Sequence, residues 1–428
     1  MNPITLPIAE LKPALTGLGK IIPRQTTLPV LKHVKIERTK EGWIGLTTTD
    51  LDRFITVRLE QPAHGEPCSM LVPFEELLKC VKNASKDQSI NVELADKDHV
   101  LLNHGQISTI PAEEFPAVPK FKEDSIQIPD AMRLSIYEAM CCASEDPQRH
   151  ILQGAFIDGK NIISTDGKHL YKSNTWNIPL KNPLIIPKHK FLAWSEFNKD
   201  GGWQLKYDGP FLQINSRRWR FISKKIDGQY PNWRQVLPDQ KSVQSNIVIE
   251  PGIIVKLIQT IERMPCDNPE HFTIGLEWKD QHLTLLGRPP ESKEWTKVMI
   301  NEVKGDGKNV TVLLNRHLLS KALDFGLNAI SIIDPISPLR IHQGSREMII
   351  MPVRPDVNPQ APPPRIQPRI RQRPEPSAID DALSQIGSVF SFIKSSLTTL
   401  RNLTGQLKDI KRNQKTKERL GKTQGVKI

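Results

Sequence analysis

The chain has 428 residues, 38% hydrophobic and 25% charged, with a formal net charge of +12 and a pI near 9.4. At roughly 100 to 200 residues per domain this length predicts two to four domains, and no apolar run approaches the roughly 18 residues a membrane span needs. The start, MNPITLPIAELKP, lacks a charged region followed by a long apolar one. Cys68, Cys80, Cys141, Cys142 and Cys266 show no CxxC pair and no zinc-like spacing, so we expect reduced thiols in a cytoplasmic protein.

In chain order, the first predicted helix is IAELKPALTGLGKII, from Ile8 to Ile22. Its pattern recurs as DAMRLSIYEAMCCAS, Asp130 to Ser144, and as PGIIVKLIQTIERM, Pro251 to Met264, at a spacing near 120 residues. Strand-like alternation follows each helix, then a second short helix: FEELLKCVKNASK at Phe74, KHKFLAWSEFNK around His189, and NRHLLSKALDFG at Asn315. Phe115-Pro116 and Tyr230-Pro231 close the first two units 115 residues apart. The expected architecture is α+β: three tandem domains, each with two helices on antiparallel sheets, at 1–121, 122–241 and 242–354.

Two hairpin corners stand out. LTTTDLDRFITVRL (Leu46 to Leu59) and IISTDGKHLYK (Ile162 to Lys172) place Asp50 and Asp166 116 positions apart. An Asp-Gly pair between alternating runs predicts a tight turn, and a corner that is duplicated reads as scaffold, not catalyst. The third unit, IGLEWKDQHLTLLGRPPESKEW, has no Thr-Asp corner. No P-loop, dinucleotide fingerprint or metal-ligand cluster occurs, so we expect no catalytic residue, metal or cofactor.

From Pro355 the composition changes. PDVNPQAPPPRIQPRIRQRPEP holds eight of the 35 prolines and predicts a Pro/Arg-rich linker over 355–376. Residues 377–428 predict an amphipathic or coiled-coil helix with a basic end, since Ile379, Leu383, Ile386, Phe390, Ile393, Leu397 and Leu400 alternate by four and three. The tail carries 14 Lys and Arg against 6 Asp and Glu, which leaves only +4 of the +12 for the body. Its partner is left open between protein, nucleic acid and a membrane surface.

TTLPVLKHV, TTTDLD, IPAEEFP, STDGKHL, KIDGQYPNWRQVLP and IIMPVRP, in this order, resemble the bacterial DNA polymerase III beta subunit, or sliding clamp, family. The resemblance implies a DNA clamp fold and a non-enzymatic processivity factor: a head-to-tail homodimeric ring that encircles double-stranded DNA without reading sequence. Its partners would be DNA polymerase and clamp-loader subunits. DNA contacts are implied at Arg24, Lys188 and Arg149, with Lys20, Lys79, Lys82 and Arg263 on lining elements. A peptide-binding cleft is implied at Leu152, Thr165, Gly167, Lys168, His169, Leu170, Pro238, Ile349, Met351, Pro352, Val353 and Arg354. The dimer seam would involve Ile107 and the helix ending at Met264. The competing reading is a clamp-like regulator that no longer encircles DNA and sequesters partners through the cleft or the tail.

Overall fold

Apolar residues three and four positions apart nucleate five helices in the computed structural model, which describes residues 3–354 except 61, 83, 104, 175, 200, 267–270, 291 and 293. They are α1 (Ile8–Leu18), α2 (Phe74–Lys82), α3 (Asp130–Cys141), α4 (Ile254–Arg263) and α5 (Arg316–Asp324). In α1 the buried face is Ile8, Leu11, Ala14, Leu15 and Leu18; in α5 it is Leu318, Leu319, Ala322 and Leu323. The Asn315 side chain accepts the His317 backbone N–H at 2.8 Å and so caps α5, an arrangement that contributes about 1 kcal/mol. Helix α1 packs on α2, and α4 on α5. The predicted linker at 355–376 and helix at 377–428 lie outside the described residues.

The middle repeat departs from the expected pair of helices. Residues 190–199 form successive turns instead, with Leu192 N–H donating to His189 O and Trp194 N–H to Phe191 O, each three residues back. The cause is the spacing of the aromatic side chains. Phe191, Trp194 and Phe197 recur every three residues and pack with Trp203, Trp219 and Phe221. A period of three is met by three-residue turns, whereas 3.6 residues per turn would rotate the third ring out of the cluster. The Asn198 amide locks the segment by donating to Leu192 O at 2.8 Å and Trp194 O at 3.0 Å.

The sheets run through the repeats. An eight-stranded antiparallel sheet takes four strands from the first repeat and four from the second, joined where Arg53–Arg58 pairs with Trp219–Lys224. A nine-stranded sheet joins the second repeat to the third where His169–Ser173 pairs with Arg346–Ile350, Tyr171 opposite Met348. Two four-stranded sheets complete the set. One ends on Gly105–Ser108 and the other on Thr296–Ile300.

Both junctions are fastened by charge, half-buried at the first and buried at the second. At the first, Arg218 reaches Glu10 at 3.3 Å and Glu196 at 3.6 Å. At the second, Glu138 on α3 is 2% exposed; it accepts from Tyr171 Oη at 2.6 Å and from Arg346 across the seam. Glu347 is clasped by Lys172 and Arg340. Burial pushes the Glu138 carboxyl above its usual range despite these donors, and pushes Glu347 the same way, but there Lys172 and Arg340 win and hold it low.

Candidate functional site

The corners at Asp50 and Asp166 share one framework of hydrogen bonds. Thr49 Oγ1 donates to Arg53 O at 2.8 Å, and Thr165 Oγ1 donates to His169 O at 2.5 Å. Each threonine hydroxyl also accepts the N–H two residues on, Leu51 in one and Gly167 in the other, both at 3.0 Å. Each aspartate Oδ1 accepts the N–H three residues on, Arg53 at 2.7 Å and His169 at 3.0 Å. Both carboxylates are therefore spent on the turn, as the duplication predicted. The position after the aspartate needs positive φ: Gly167 sits at +89° at no steric cost, while Leu51 is held at +79°.

Burial alone would raise the Asp166 carboxyl; contact with His169 and the N–H groups of His169 and Lys168 overcome this and hold it at about 2. His169 Nδ1 lies 2.8 Å from Asp166 Oδ1 but off the line of a well-directed hydrogen bond. The ring is buried and its pKa lowered, so it is neutral at pH 7. The backbone N–H groups are thus the principal partners of the carboxylate.

Beyond this corner opens a cleft of about 700 Å³, bounded by Gly167 and Lys168 on one side and by Met351, Pro352, Val353 and Arg354 on another. The terminal segment is stitched across it: Met351 N–H donates to Lys168 O at 3.1 Å, and Val353 N–H to Leu313 O at 2.7 Å. The third repeat supplies the remaining wall, His271, Thr273, Arg288, Trp295, Leu313, Asn315 and Leu318, none of which the sequence motifs assign to the cleft. The Arg288 guanidinium lies 4.6 Å from the Trp295 ring centroid, a cation–π stack at the rim. The available signal was position: Arg288 to Trp295 fills the place in the third repeat that the Thr-Asp corners fill in the others. The arrangement offers apolar side chains within a rim of cationic and amide groups, which suits an extended peptide.

Three residues expected in the cleft wall are in the core instead. Leu170 is 2% exposed, Ile349 0% and His169 3%. Leu170 and Ile349 pack with Ile163, Ile185, Ile226, Tyr230 and Trp233, because strand alternation turns them inward at the seam. Leu152, with Val236 and Leu237, lies half-buried against that cluster, and Pro238 is half-exposed beside it. Thr165 spends its hydroxyl on the corner.

The predicted cationic residues are dispersed. Arg24, Lys82 and Arg263 are exposed; Lys79 pairs with Glu76 at 2.7 Å and Lys188 with Glu145 at 2.8 Å. Lys20 lies 5.2 Å over the Trp194 ring. Arg149 donates from Nη1 to Asp166 O at 2.8 Å, which ties its loop to the corner of the cleft. Ile107 is half-buried on the edge strand Gly105–Ser108. Met264 is 5% exposed and belongs to the core of its own repeat, so its side chain is not a surface contact. Among the described residues no group of three or more His, Cys, Asp or Glu could hold a metal ion, and no helix is long and apolar enough to cross a membrane.

The chain is similar to bacterial sliding clamps both in sequence and in fold. The signature of the DNA polymerase III beta subunit N-terminal domain matches residues 5–119. The beta sliding clamp of Pseudomonas putida is 28% identical over 331 residues, covering 72% of this chain and 87% of that protein. The beta sliding clamp of Escherichia coli K12 is 25% identical over 363 residues, covering 77% and 93%. The beta subunit of Streptococcus pyogenes DNA polymerase aligns in structure with a TM-score of 0.73 at 18% identity, covering 83% of this chain and all of that one. The Pseudomonas aeruginosa sliding clamp bound to griselimycin aligns at 0.71 and 22% identity, covering 82% and 99%.

Proposed function

We infer that this chain, a member of the bacterial DNA polymerase III beta subunit (sliding clamp) family, is a DNA polymerase processivity factor that closes around duplex DNA as a head-to-tail homodimer. The repeating seam carries the ring geometry. The strand after each corner pairs with the last strand of the next repeat: Arg53–Arg58 with Trp219–Lys224, then His169–Ser173 with Arg346–Ile350. Two members of this series have open edges, Thr296–Ile300 in the third repeat and Gly105–Ser108 in the first. A second copy satisfies both, because the same antiparallel pairing then occurs twice between chains and leaves neither of these two edges open. Ile107, half-buried, and Met299, 57% exposed, are among the apolar side chains on these edges.

On this reading the domains are 1–121, 122–241 and 242–354, and the duplex is held by enclosure. Cations such as Arg24, Lys82 and Arg263 need only touch phosphates weakly and without sequence preference, which permits sliding. The cleft behind the Asp166 corner takes short peptides of polymerase and loader subunits, with Met351, Pro352, Val353 and Leu318 as the apolar floor. Met351 suits several ligands because its thioether repacks easily. The test is primer extension on a singly primed circular template with the cognate polymerase and loader. Products of template length only when this chain is present are expected; product lengths unchanged by the chain would contradict the reading.

A further inference from the structure

The first two repeats each end by laying an aromatic-proline closure across a row of three residues on their own sheet. In the first repeat the row is Thr47, Lys35 and Leu71 on neighbouring strands. Thr109 opens the closure by donating its hydroxyl to Leu71 O at 2.5 Å, and the Phe115 ring, 7% exposed, then lies 5.8 Å from Lys35 Nζ. In the second repeat the row is Ile163, Phe156 and Ile185. Ile226 N–H donates to Ile185 O at 3.3 Å, and the Tyr230 ring stacks on Phe156 at 4.6 Å.

The third repeat builds the same row from Leu286, Gly275 and Leu313, and Val353 N–H donates to Leu313 O at 2.7 Å. The register is shared, since Leu313 stands three residues before helix α5 as Leu71 stands before α2. The ring is missing. After Val353 the sequence has no aromatic-proline pair, and its next aromatic residue is Phe390. A glycine, Gly275, stands where the second repeat has Phe156. In place of a closure there is a cavity of about 400 Å³ lined by Leu286, Trp295, Thr311, Leu313, Pro335 and Val353 among others.

This empty seat also offers hydrogen bonds and charge. Val310–Asn315 is the last strand of its sheet, and alternate residues of an antiparallel strand turn their N–H and C=O to the same side. Thr311 therefore faces outward with Leu313, whose carbonyl Val353 already uses. At one end the seat shares Trp295, Leu313 and Val353 with the peptide cleft. At the other it shares Glu277, Thr311 and Pro335 with a smaller groove that reaches Lys279 and Lys308. The carboxylates on this track are already engaged: Glu277 has Lys297 at 3.7 Å, and Asp334 accepts the N–H groups of Ile336 and Ser337. Lys279 and Lys308 are exposed and have no ion partner among the described residues.

We propose that the third seat is filled in trans. An extended segment of the protein bound in the cleft lays an aromatic side chain on Leu286 and Leu313, pairs its backbone with the Thr311 edge, and sets a carboxylate against Lys279 and Lys308. The first closure, TIPAEEFPA, already has this chemistry, with two glutamates before its phenylalanine.

This rests on the cleft taking partner peptides, and a probe that is not a partner peptide separates the two. Fluorescein-labelled TIPAEEFPA, residues 109–117, is titrated with the full chain in fluorescence anisotropy. It is expected to bind, and its Phe115→Ala form to bind about tenfold more weakly, the scale of a truncated anchor side chain. Thr311→Trp, which fills the seat from an exposed position, should weaken the peptide about tenfold. Lys279→Glu/Lys308→Glu should weaken it about threefold. Lys40→Trp, at an exposed position of the first repeat, leaves it unchanged. The intact cognate polymerase should lose about tenfold in affinity for Thr311→Trp. Peptide affinity indifferent to Phe115→Ala, or to Thr311→Trp with thermal melting intact, would overturn the seat, and so would an unchanged polymerase affinity. Altered sedimentation of Thr311→Trp with polymerase affinity preserved would assign the seat to a second copy instead. Failure of the wild-type chain to bind polymerase at all would sink the clamp reading, while the peptide titration still decides whether the seat takes an aromatic ring.

Discussion

At the first junction the frame of Arg53–Arg58 and Trp219–Lys224 is finished in lysine; at the second, the frame of His169–Ser173 and Arg346–Ile350 is finished in Met351, Pro352 and Val353. The corners behind both share a framework, with the side chain of Thr49 or Thr165 and of Asp50 or Asp166 making equivalent contacts. The shared part is thus the part that turns the chain and sets the seam. The part that differs is the lining, mostly cationic in the groove behind Asp50 and apolar with a cationic rim in the cleft behind Asp166. One scaffold thus carries two linings of opposite chemistry.

Removing the fastening of the second junction should have the largest effect. Glu138→Ala leaves Arg346 and the Tyr171 hydroxyl without their buried acceptor, and a loss of about 3 to 5 kcal/mol in chemical unfolding is expected. Arg218→Ala, which removes the partner of Glu10 and Glu196 at the first junction, gives the matching value for comparison. Next in size, Met351→Asp should weaken a polymerase-derived peptide by about 2 to 3 kcal/mol, roughly 30- to 150-fold by fluorescence anisotropy, while the salt slope for duplex DNA is unchanged.

Asp166→Ala should cost about 2 kcal/mol near neutral pH. The folded pKa, about 2, lies below the ordinary value of 3.8, so the stabilisation is complete above the unfolded pKa and disappears as pH falls through the folded one. The difference between wild type and variant in thermal unfolding should therefore shrink between about pH 4 and pH 2. The smallest effect has the opposite sign. Leu51→Gly releases a leucine held at φ +79° and should stabilise the first corner by up to about 1 kcal/mol, whereas Gly167→Leu would drive a Cβ to 2.7 Å from Arg149 Nη1.

Where the chain repeats itself the fold is legible in its sequence. Asp50 and Asp166 announced their turn because two copies of one pattern shared one explanation, and the opening helix of each repeat showed its apolar spacing. Single-copy features were harder. The segment at Phe191, Trp194 and Phe197 has enough apolar residues to read as a helix, and only the packing of three rings in one cluster shows that a period of three wins. Leu170 and Ile349 belong to the right motifs, but inward or outward placement at a seam is set by register, which links residues 179 positions apart. The third repeat replaces its corner with RPPESKEW, so nothing in the local sequence marks Arg288 and Trp295 as a wall of the cleft.

Retention on DNA tests the central claim, that two copies enclose the duplex and hold it by geometry. The chain is loaded with its clamp loader and ATP on a nicked circular plasmid, washed at high salt, and the plasmid is then cut once with a restriction enzyme. The account predicts that the protein stays on the circle through the wash and leaves within minutes of linearisation. Loss from the circle during the wash, or equal retention on circular and linear DNA, would contradict it.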